Sequence, residues 1–159
     1  MIDGSYRPEQ DSASGRMLIR PGISLYGLST SPGAGVLQPL MRFTSRIVQL
    51  KTVEQGTSIS YGCTWRAPRR TRIATVAAGY ADGYRRVLSN RAEVGIGGRR
   101  YPVAGRVCMD LFMVDLGPPG GPGDTAGEGD EVVLFGTGGP SAIDVAGWAE
   151  TIPYEICCG

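Results

Sequence analysis

Histidine is absent from this chain, and lysine occurs once, at position 51. Without histidine the chain lacks the commonest general base and the commonest metal ligand, which excludes the usual hydrolytic triads and most zinc chemistry. Any imine chemistry carried by the chain alone would fall to Lys51, which lies in a strand-like run among polar neighbours and reads as an exposed strand lysine. The four cysteines stand at 63, 108, 157 and 158, with no Cys-x-x-Cys pair and no second ligand set. They are read as reduced thiols, and no metal site is expected. No apolar run reaches the roughly 18 residues of a membrane span. The start lacks a basic-then-apolar leader. These absences point to a soluble, cytoplasmic chain. Sixteen basic and fifteen acidic residues nearly cancel. Although fifteen of the sixteen basic residues are arginine, the balance gives no reason to expect nucleic acid or an anionic membrane as partner.

Two stretches stand out among what is present. Ser60-Tyr61-Gly62-Cys63-Thr64-Trp65 and Gly79-Tyr80-Ala81-Asp82-Gly83-Tyr84 each set a tyrosine against glycine where an extended run ends. Such a pairing can stand a phenol at the rim of a sheet, with backbone close to a ligand. It can equally be an ordinary turn-flanking tyrosine. The residues of each stretch, taken alone, leave both readings open.

With 159 residues the chain is long enough for about one domain with its own core. Residues 1–16 are polar and turn-rich and read as a disordered or divergent lead. An apolar run from Met17 meets Arg20-Pro21-Gly22-Ile23, where Pro21 biases Arg20 to extended geometry. A Ser/Pro/Gly loop at 29–35 then reads as a linker into a second region. From Met41 onward the pattern is that of strands. Phe43, Ile47, Val48, Leu50 and Val53 lie in one long run, and residues 72–78 make a second. Glu93 to Ile96 and Arg99 to Val103 flank Gly97-Gly98 as a tight hairpin. Val107 to Leu116 is a further expected strand, and Glu131 to Phe135 a short buried one. One helix is expected from Ser141 to about Glu150, opened by a Ser141/Asp144 capping box. The last stretch, Thr151 to Cys158, starts with a proline break. Six or so strands without interleaved helices argue an antiparallel sandwich or barrel.

Gly136-Thr137-Gly138-Gly139-Pro140-Ser141 follows a strand and opens a helix, where a phosphate loop belongs. Serine stands in place of the third glycine of the dinucleotide pattern, Pro140 interrupts the turn, and no lysine completes a P-loop. A plain strand-to-helix turn is the preferred reading, with a nucleotide binder as the competing one.

Six motifs occur in order: Arg-Pro-Gly-Ile-x-Leu-Tyr-Gly at 20–27, Ser-Tyr-Gly at 60–62, Gly-Tyr-Ala-Asp-Gly at 79–83, Gly-Arg-Val-Cys-Met-Asp at 105–110, Gly-Asp-x-Val-Val-Leu-Phe-Gly at 129–136 and Thr-Ile-x-Tyr-Glu-Ile-x-Cys at 151–158. Together they resemble the alanine racemases, pyridoxal-phosphate enzymes that interconvert L- and D-alanine and supply D-alanine for peptidoglycan. The resemblance covers about residues 17–158. It implies a mainly β, Greek-key-like antiparallel barrel over 37–159 with one or two short helices. Residues 17–36 would be the tail of an α/β barrel and its linker. The main part of that barrel, with the cofactor lysine, is not represented, and Asp11-Ser12-Ala13 matches a phosphate-binding Asn-Ser-Ala only faintly. In the family the β domain caps the active site of the partner subunit in a homodimer.

The resemblance also implies roles for single residues. Racemisation needs a proton removed from one face of Cα and one delivered to the other. Tyr61 matches the tyrosine that serves one face. A phenol of ordinary pKa, about 10, needs a nearby cation or hydrogen bond to act as a base at neutral pH. Without histidine, that help must come from the missing domain or an arginine. Arg20 matches the arginine facing the pyridine nitrogen, which a guanidinium can only donate to. Gly22, Ile23 and Tyr154 match positions that hold the cofactor phosphate. Met109 matches the residue whose backbone meets the substrate carboxylate, with Arg106 and Asp110 beside it. Tyr80 matches a tyrosine that narrows access and favours a small substrate. The chain would then carry half of a composite site and be inactive alone. The other reading is a free-standing β domain, either a binding or assembly module or the remnant of a split gene.

Overall fold

The computed structural model describes residues 8–10, 17–19, 21–28 and 37–159. They fall into two compact units, Met1–Met41 and Arg42–Gly159. In the first, β1 (Pro8–Gln10) pairs antiparallel with β2 (Met17–Ile19), Pro8 opposite Ile19. A strand therefore occupies part of the stretch read from sequence as a lead. Pro21 then caps a 3-10 turn, Gly22–Tyr26, that ends at Gly27 in the left-handed region. The Leu40 amide donates to the Tyr26 carbonyl at 3.1 Å. Arg20 and the linker at 29–35 lie outside the described residues.

The second unit is built on β3 (Phe43–Val53), β6 (Thr71–Val76), β7 (Glu93–Ile96), β8 (Arg99–Pro102), β9 (Phe112–Gly117) and β10 (Glu131–Phe135). A short pair, β4 (Ser58–Ile59) and β5 (Trp65–Arg66), stands apart from them. The six form one antiparallel sheet in the order β8-β7-β10-β3-β6-β9. Just beyond β8, Val103 bridges to Val114, and the Ala104 amide donates to the Met113 carbonyl at 2.8 Å. The two outer strands thus nearly meet, and the sheet is an almost closed barrel that leaves little unpaired edge. The eleven residues of β3 serve two neighbours in succession. Phe43 to Arg46 pair with β10, and Ile47 to Val53 pair with β6.

Ile47, Val76, Val94, Phe112, Val114, Val132 and Leu134 are each no more than 1% exposed and make the barrel interior and its covering layer. Val132 to Phe135 are four consecutive buried residues. Since successive side chains in a strand point to opposite faces, β10 is covered on both sides. A smaller cluster of Val53, Ala67, Ile73 and Ala104 lies beneath Ile59 and Trp65 of the β4/β5 pair, with Met113 against it. The two-residue turn Gly97-Gly98 has positive φ at both positions, 55° and 77°, as a tight hairpin of this hand requires.

Helix α1 (Ala142–Trp148) opens with the expected capping box: the Ser141 hydroxyl accepts the Asp144 amide at 3.0 Å, and Asp144 accepts the Ser141 amide at 2.8 Å. Two readings need correction. Thr151 to Cys158 is not only a proline break; Pro153 is the first residue of α2 (Pro153–Cys158), a position where its missing N–H costs nothing. The strand expected from Val107 begins only at Phe112, and 107–111 is a loop. Its backbone is committed elsewhere. The Val107 amide goes to the Ser89 hydroxyl at 2.9 Å, and the Cys108 amide to the Leu111 carbonyl at 2.9 Å. The carbonyls of Cys108 and Met109 accept the amides of Tyr80 and Ala81, both at 3.0 Å.

Candidate functional site

The register Val76↔Phe112 sets the end of β6 beside the start of β9. The segments leaving those two strand ends, together with the Ser60–Thr64 connection between β4 and β5, surround an open cleft of about 770 Å³. Its lining includes Tyr61, Tyr80, Arg106, Met109 and Asp110. These five come from three separate stretches of sequence, and the fold brings them to one place. Tyr61 is 75% exposed, Met109 54% and Tyr80 44%, so the mouth of the cleft is apolar and aromatic while its floor is closed by Val107 and Met113.

Each tyrosine is carried by a short 3-10 turn, Tyr61–Cys63 and Tyr80–Asp82. The second is fixed by Asp82, whose carboxylate accepts the Gly79 amide at 2.9 Å, and by the two amide contacts to Cys108 and Met109. The first is fixed by Ser60, whose hydroxyl donates to the Arg106 carbonyl at 2.7 Å. The Arg106 guanidinium lies over Gly62; its central carbon is 3.3 Å from where a Cβ on that glycine would sit. A positive charge therefore stands beside the backbone of Tyr61. Among the described residues the Tyr61 phenol makes no hydrogen bond, and it is free to meet a ligand.

Four further lining residues were not singled out from sequence: Ser60, Arg86, Cys108 and Leu111. Ser60 and Cys108 sat inside quoted motifs without a role. Arg86 follows a tyrosine turn and belongs to no motif, and only the 3-10 turn Arg86–Leu88 that carries it brings it to the cleft.

The remaining expected residues lie elsewhere. Tyr154 is the second residue of α2, half-buried, and does not line the cleft. Gly22 and Ile23 belong to the first unit, Gly22 exposed with φ 57° and Ile23 buried, and Arg20 lies outside the described residues. The first amides of a helix-like turn have no acceptor within it. The Gly22 and Ile23 amides at the head of the 3-10 turn thus are the kind of backbone donors that suit a phosphate, and the residues present fit that part of pyridoxal phosphate. Lys51, the chain's one lysine, is exposed on β3 and does not line the cleft. The glycine loop before α1 turns its own donors inward. The Gly136 amide goes to the Pro140 carbonyl at 2.7 Å and the Gly139 amide to the Gly136 carbonyl at 3.0 Å, which suits a plain turn and not a nucleotide loop. All four cysteines are free. Among the described residues no cluster of His, Cys, Asp or Glu could hold a metal ion, and no helix is long and apolar enough to cross a membrane.

An almost closed antiparallel barrel with two terminal helices and an open cleft lined by tyrosine, arginine and methionine defines a β domain. The sequence profile described as "Alanine racemase, C-terminal domain" matches residues 40–159, and the chain belongs to that family. It is 49% identical over 144 residues to the alanine racemase of Chlorobaculum tepidum, covering 89% of this chain and 37% of that protein. Against the alanine racemase of Mycobacterium tuberculosis H37Rv it is 51% identical over 144 residues, with 87% and 37% covered. Among solved structures, alanine racemase from Streptomyces coelicolor A3(2) superposes with a TM-score of 0.78 at 41% identity, covering 87% of this chain and 37% of that one. Alanine racemase of Clostridium difficile 630 gives 0.79 at 38% identity, with 94% and 39% covered. The chain thus spans a little over a third of the length of these relatives, 37% of the first.

Proposed function

We propose that this chain supplies the C-terminal side of an alanine racemase active site, with the lysine that carries pyridoxal phosphate contributed by an α/β-barrel domain. Residues 17–36 are read as the tail of that barrel and residues 37–159 as the β domain. The observation that carries the reading is the meeting of Tyr61, Tyr80, Arg106, Met109 and Asp110 in one cleft that contains no lysine of its own.

Pyridoxal phosphate, when bound, supplies the electron withdrawal that makes the Cα proton of an amino acid removable. This chain's own residues bind, orient and exchange the proton. Tyr61, standing free at the mouth, takes or returns a proton at its phenol oxygen on one face of Cα, with the Arg106 charge beside its backbone. Met109 offers its amide, and Arg106 its guanidinium, to the substrate carboxylate, with Asp110 next to them. Tyr80 narrows the cleft so that a side chain as small as a methyl is preferred. By the family resemblance, Arg20 would face the pyridine nitrogen, and Gly22 and Ile23 through their amides and Tyr154 through its phenol would be contacts for the phosphate. The two faces of Cα are then served by two different domains. A head-to-tail homodimer of the whole enzyme, in the cytoplasm, is the arrangement that would bring them together.

Mixing this chain with a separately made barrel domain that bears the lysine, then measuring D-alanine formed from L-alanine, tests the proposal. A rise over the barrel alone that is lost with Tyr61→Phe is expected. No gain over the barrel alone would leave a binding or assembly module, and turnover by this chain alone that depends on Lys51 would overturn the reading.

A further inference from the structure

Ser60 occupies a backbone conformation that disfavours serine. Its φ of 64° and ψ of 176° lie in a region that is essentially glycine's own. Two contacts keep it there. Its hydroxyl donates to the Arg106 carbonyl at 2.7 Å. The Cys108 sulfur lies 3.5 Å from the same hydroxyl oxygen. The second contact is steric. A Cβ on Gly105 would come within 2.7 Å of the Ser60 Cβ and 2.8 Å of the Ile59 carbonyl, so the two backbones touch.

The partner segment is itself immobilised from its other side. The Gly105 amide donates to the Asn90 side-chain carbonyl at 2.7 Å, and the Val107 amide to the Ser89 hydroxyl at 2.9 Å. Ser89 in turn donates to the Arg86 carbonyl. Arg106 is therefore held at both ends, gripping Ser60 with its carbonyl while its guanidinium covers Gly62. Tyr61 lies between the two gripped residues.

We infer that Ser60 is a positioning residue for Tyr61: its hydroxyl clamp on the Arg106 carbonyl sets the direction in which the Tyr61 phenol stands over the cleft. A turn needed only for its shape is better made by glycine, which adopts this conformation without strain. Serine adds a hydrogen bond that ties the tyrosine's turn to the loop carrying Arg106 and Met109. The phenol, the guanidinium and the Met109 backbone then move as one body. A small rotation of an unclamped turn would displace a phenol at the end of its side chain by an ångström or more, and errors of that size cost up to about a hundredfold in rate.

The inference rests on the proposed role of Tyr61, and the test separates the two. In the enzyme assembled from this chain and its barrel domain, Ser60→Gly removes the clamp and keeps the backbone shape, with Tyr61→Phe as the reference. Thermal unfolding should show Ser60→Gly no less stable than the parent. Its kcat should fall about tenfold to a hundredfold with KM changed less than about threefold. The Cα-deuterium isotope effect should rise for one enantiomer only, the one whose proton Tyr61 removes. If Ser60→Gly keeps kcat within twofold while Tyr61→Phe abolishes turnover, the clamp has no positioning role and the reading of Tyr61 stands. Parallel loss of stability and activity in Ser60→Gly would make Ser60 merely structural and overturn the inference. Full turnover in Tyr61→Phe would overturn both.

Discussion

The Met109 carbonyl oxygen lies 2.1 Å from the point a Cβ on residue 79 would occupy, closer than any side-chain atom can be. Gly79 is extended, with φ −156° and ψ −162°, so what the position demands is room, not unusual torsion angles. The close approach is what lets the Tyr80 and Ala81 amides reach the carbonyls of Cys108 and Met109. Since the blocking atoms are backbone, neither side can give way cheaply. Gly79→Ala is expected to lower stability by about 2–4 kcal/mol, at the upper end of the range for overpacking, and to separate the Tyr80 turn from the Met109 loop. Urea unfolding of the parent and variant measures the loss. A change below about 0.5 kcal/mol, the size expected at an unconstrained surface, would show that the two segments are not locked.

Tyr84 is stacked on Phe112, ring centroids 4.7 Å apart and planes 29° apart, and its buried hydroxyl has no hydrogen-bond partner among the described residues. Burial pushes its phenol well above the ordinary value of 10.0. The folded state therefore favours the neutral phenol, and its contribution is intact below pH 10 and lost as the pH rises from there through the folded value. Tyr84→Phe keeps the stack and removes the orphaned hydroxyl. It should be as stable as the parent or more so by about 1 kcal/mol, and should lose part of the alkaline decline. A variant destabilised by more than that would mean the hydroxyl has a partner.

Acid should act through carboxylates held down in the folded state. Glu131 is lowered chiefly by its hydrogen bond from Arg42, and Glu155 by Thr151 and then Arg85. For Asp144, partial burial pushes upward, and the Ser141 amide and hydroxyl with Arg100 together outweigh it. Folded values below the unfolded ones mean stability that is complete above the unfolded range, 3.8 to 4.5, and lost as the pH falls through the folded values. The melting temperature should be level from pH 6 to 8 and drop below about pH 4. Asp144→Ala should cost about 1 kcal/mol at neutral pH, as loss of half a capping box does, and flatten the acid limb. An unchanged acid limb in that variant would remove Asp144 from the account.

Sequence made legible those features whose causes are local. Gly97-Gly98 specifies its own turn, Ser141 and Asp144 specify the start of α1 across three residues, and Val132 to Phe135 declares burial by being apolar without alternation. The loop at 107–111 was not legible, because the groups that take it out of the sheet are the Ser89 hydroxyl and the Tyr80 and Ala81 amides, roughly twenty to thirty residues away in the chain. The cleft is similar. Tyr61, Tyr80 and Met109 were marked by family resemblance, whereas their meeting depends on β6 pairing with β9 at Val76↔Phe112, which no local pattern encodes. Arg86 escaped because nothing in its own stretch distinguishes a cleft arginine from a solvated one.

The four thiols should separate by environment. Cys63 and Cys158 are exposed, while Cys108 and Cys157 are half-buried. Burial, and next to it the neighbouring Cys158, raises the Cys157 thiol above the ordinary 9.0, so less of it is thiolate at any pH below that value. The half-buried Cys108 thiol donates to the Arg106 carbonyl, and the Ser60 hydroxyl lies against its sulfur, both at 3.5 Å. Limited labelling of the folded chain at pH 8 with an aromatic disulfide, followed by peptide mass spectrometry, should find Cys63 and Cys158 modified first and Cys157 behind its neighbour. Ser60→Gly removes one of the two groups that occupy the Cys108 thiol and should speed its labelling, while leaving Cys157 as it was. Cys108 labelled as fast as Cys63 in the parent would mean that the loop at 107–111 opens freely, and the clamp between Ser60 and Arg106 could not then hold Tyr61 in place.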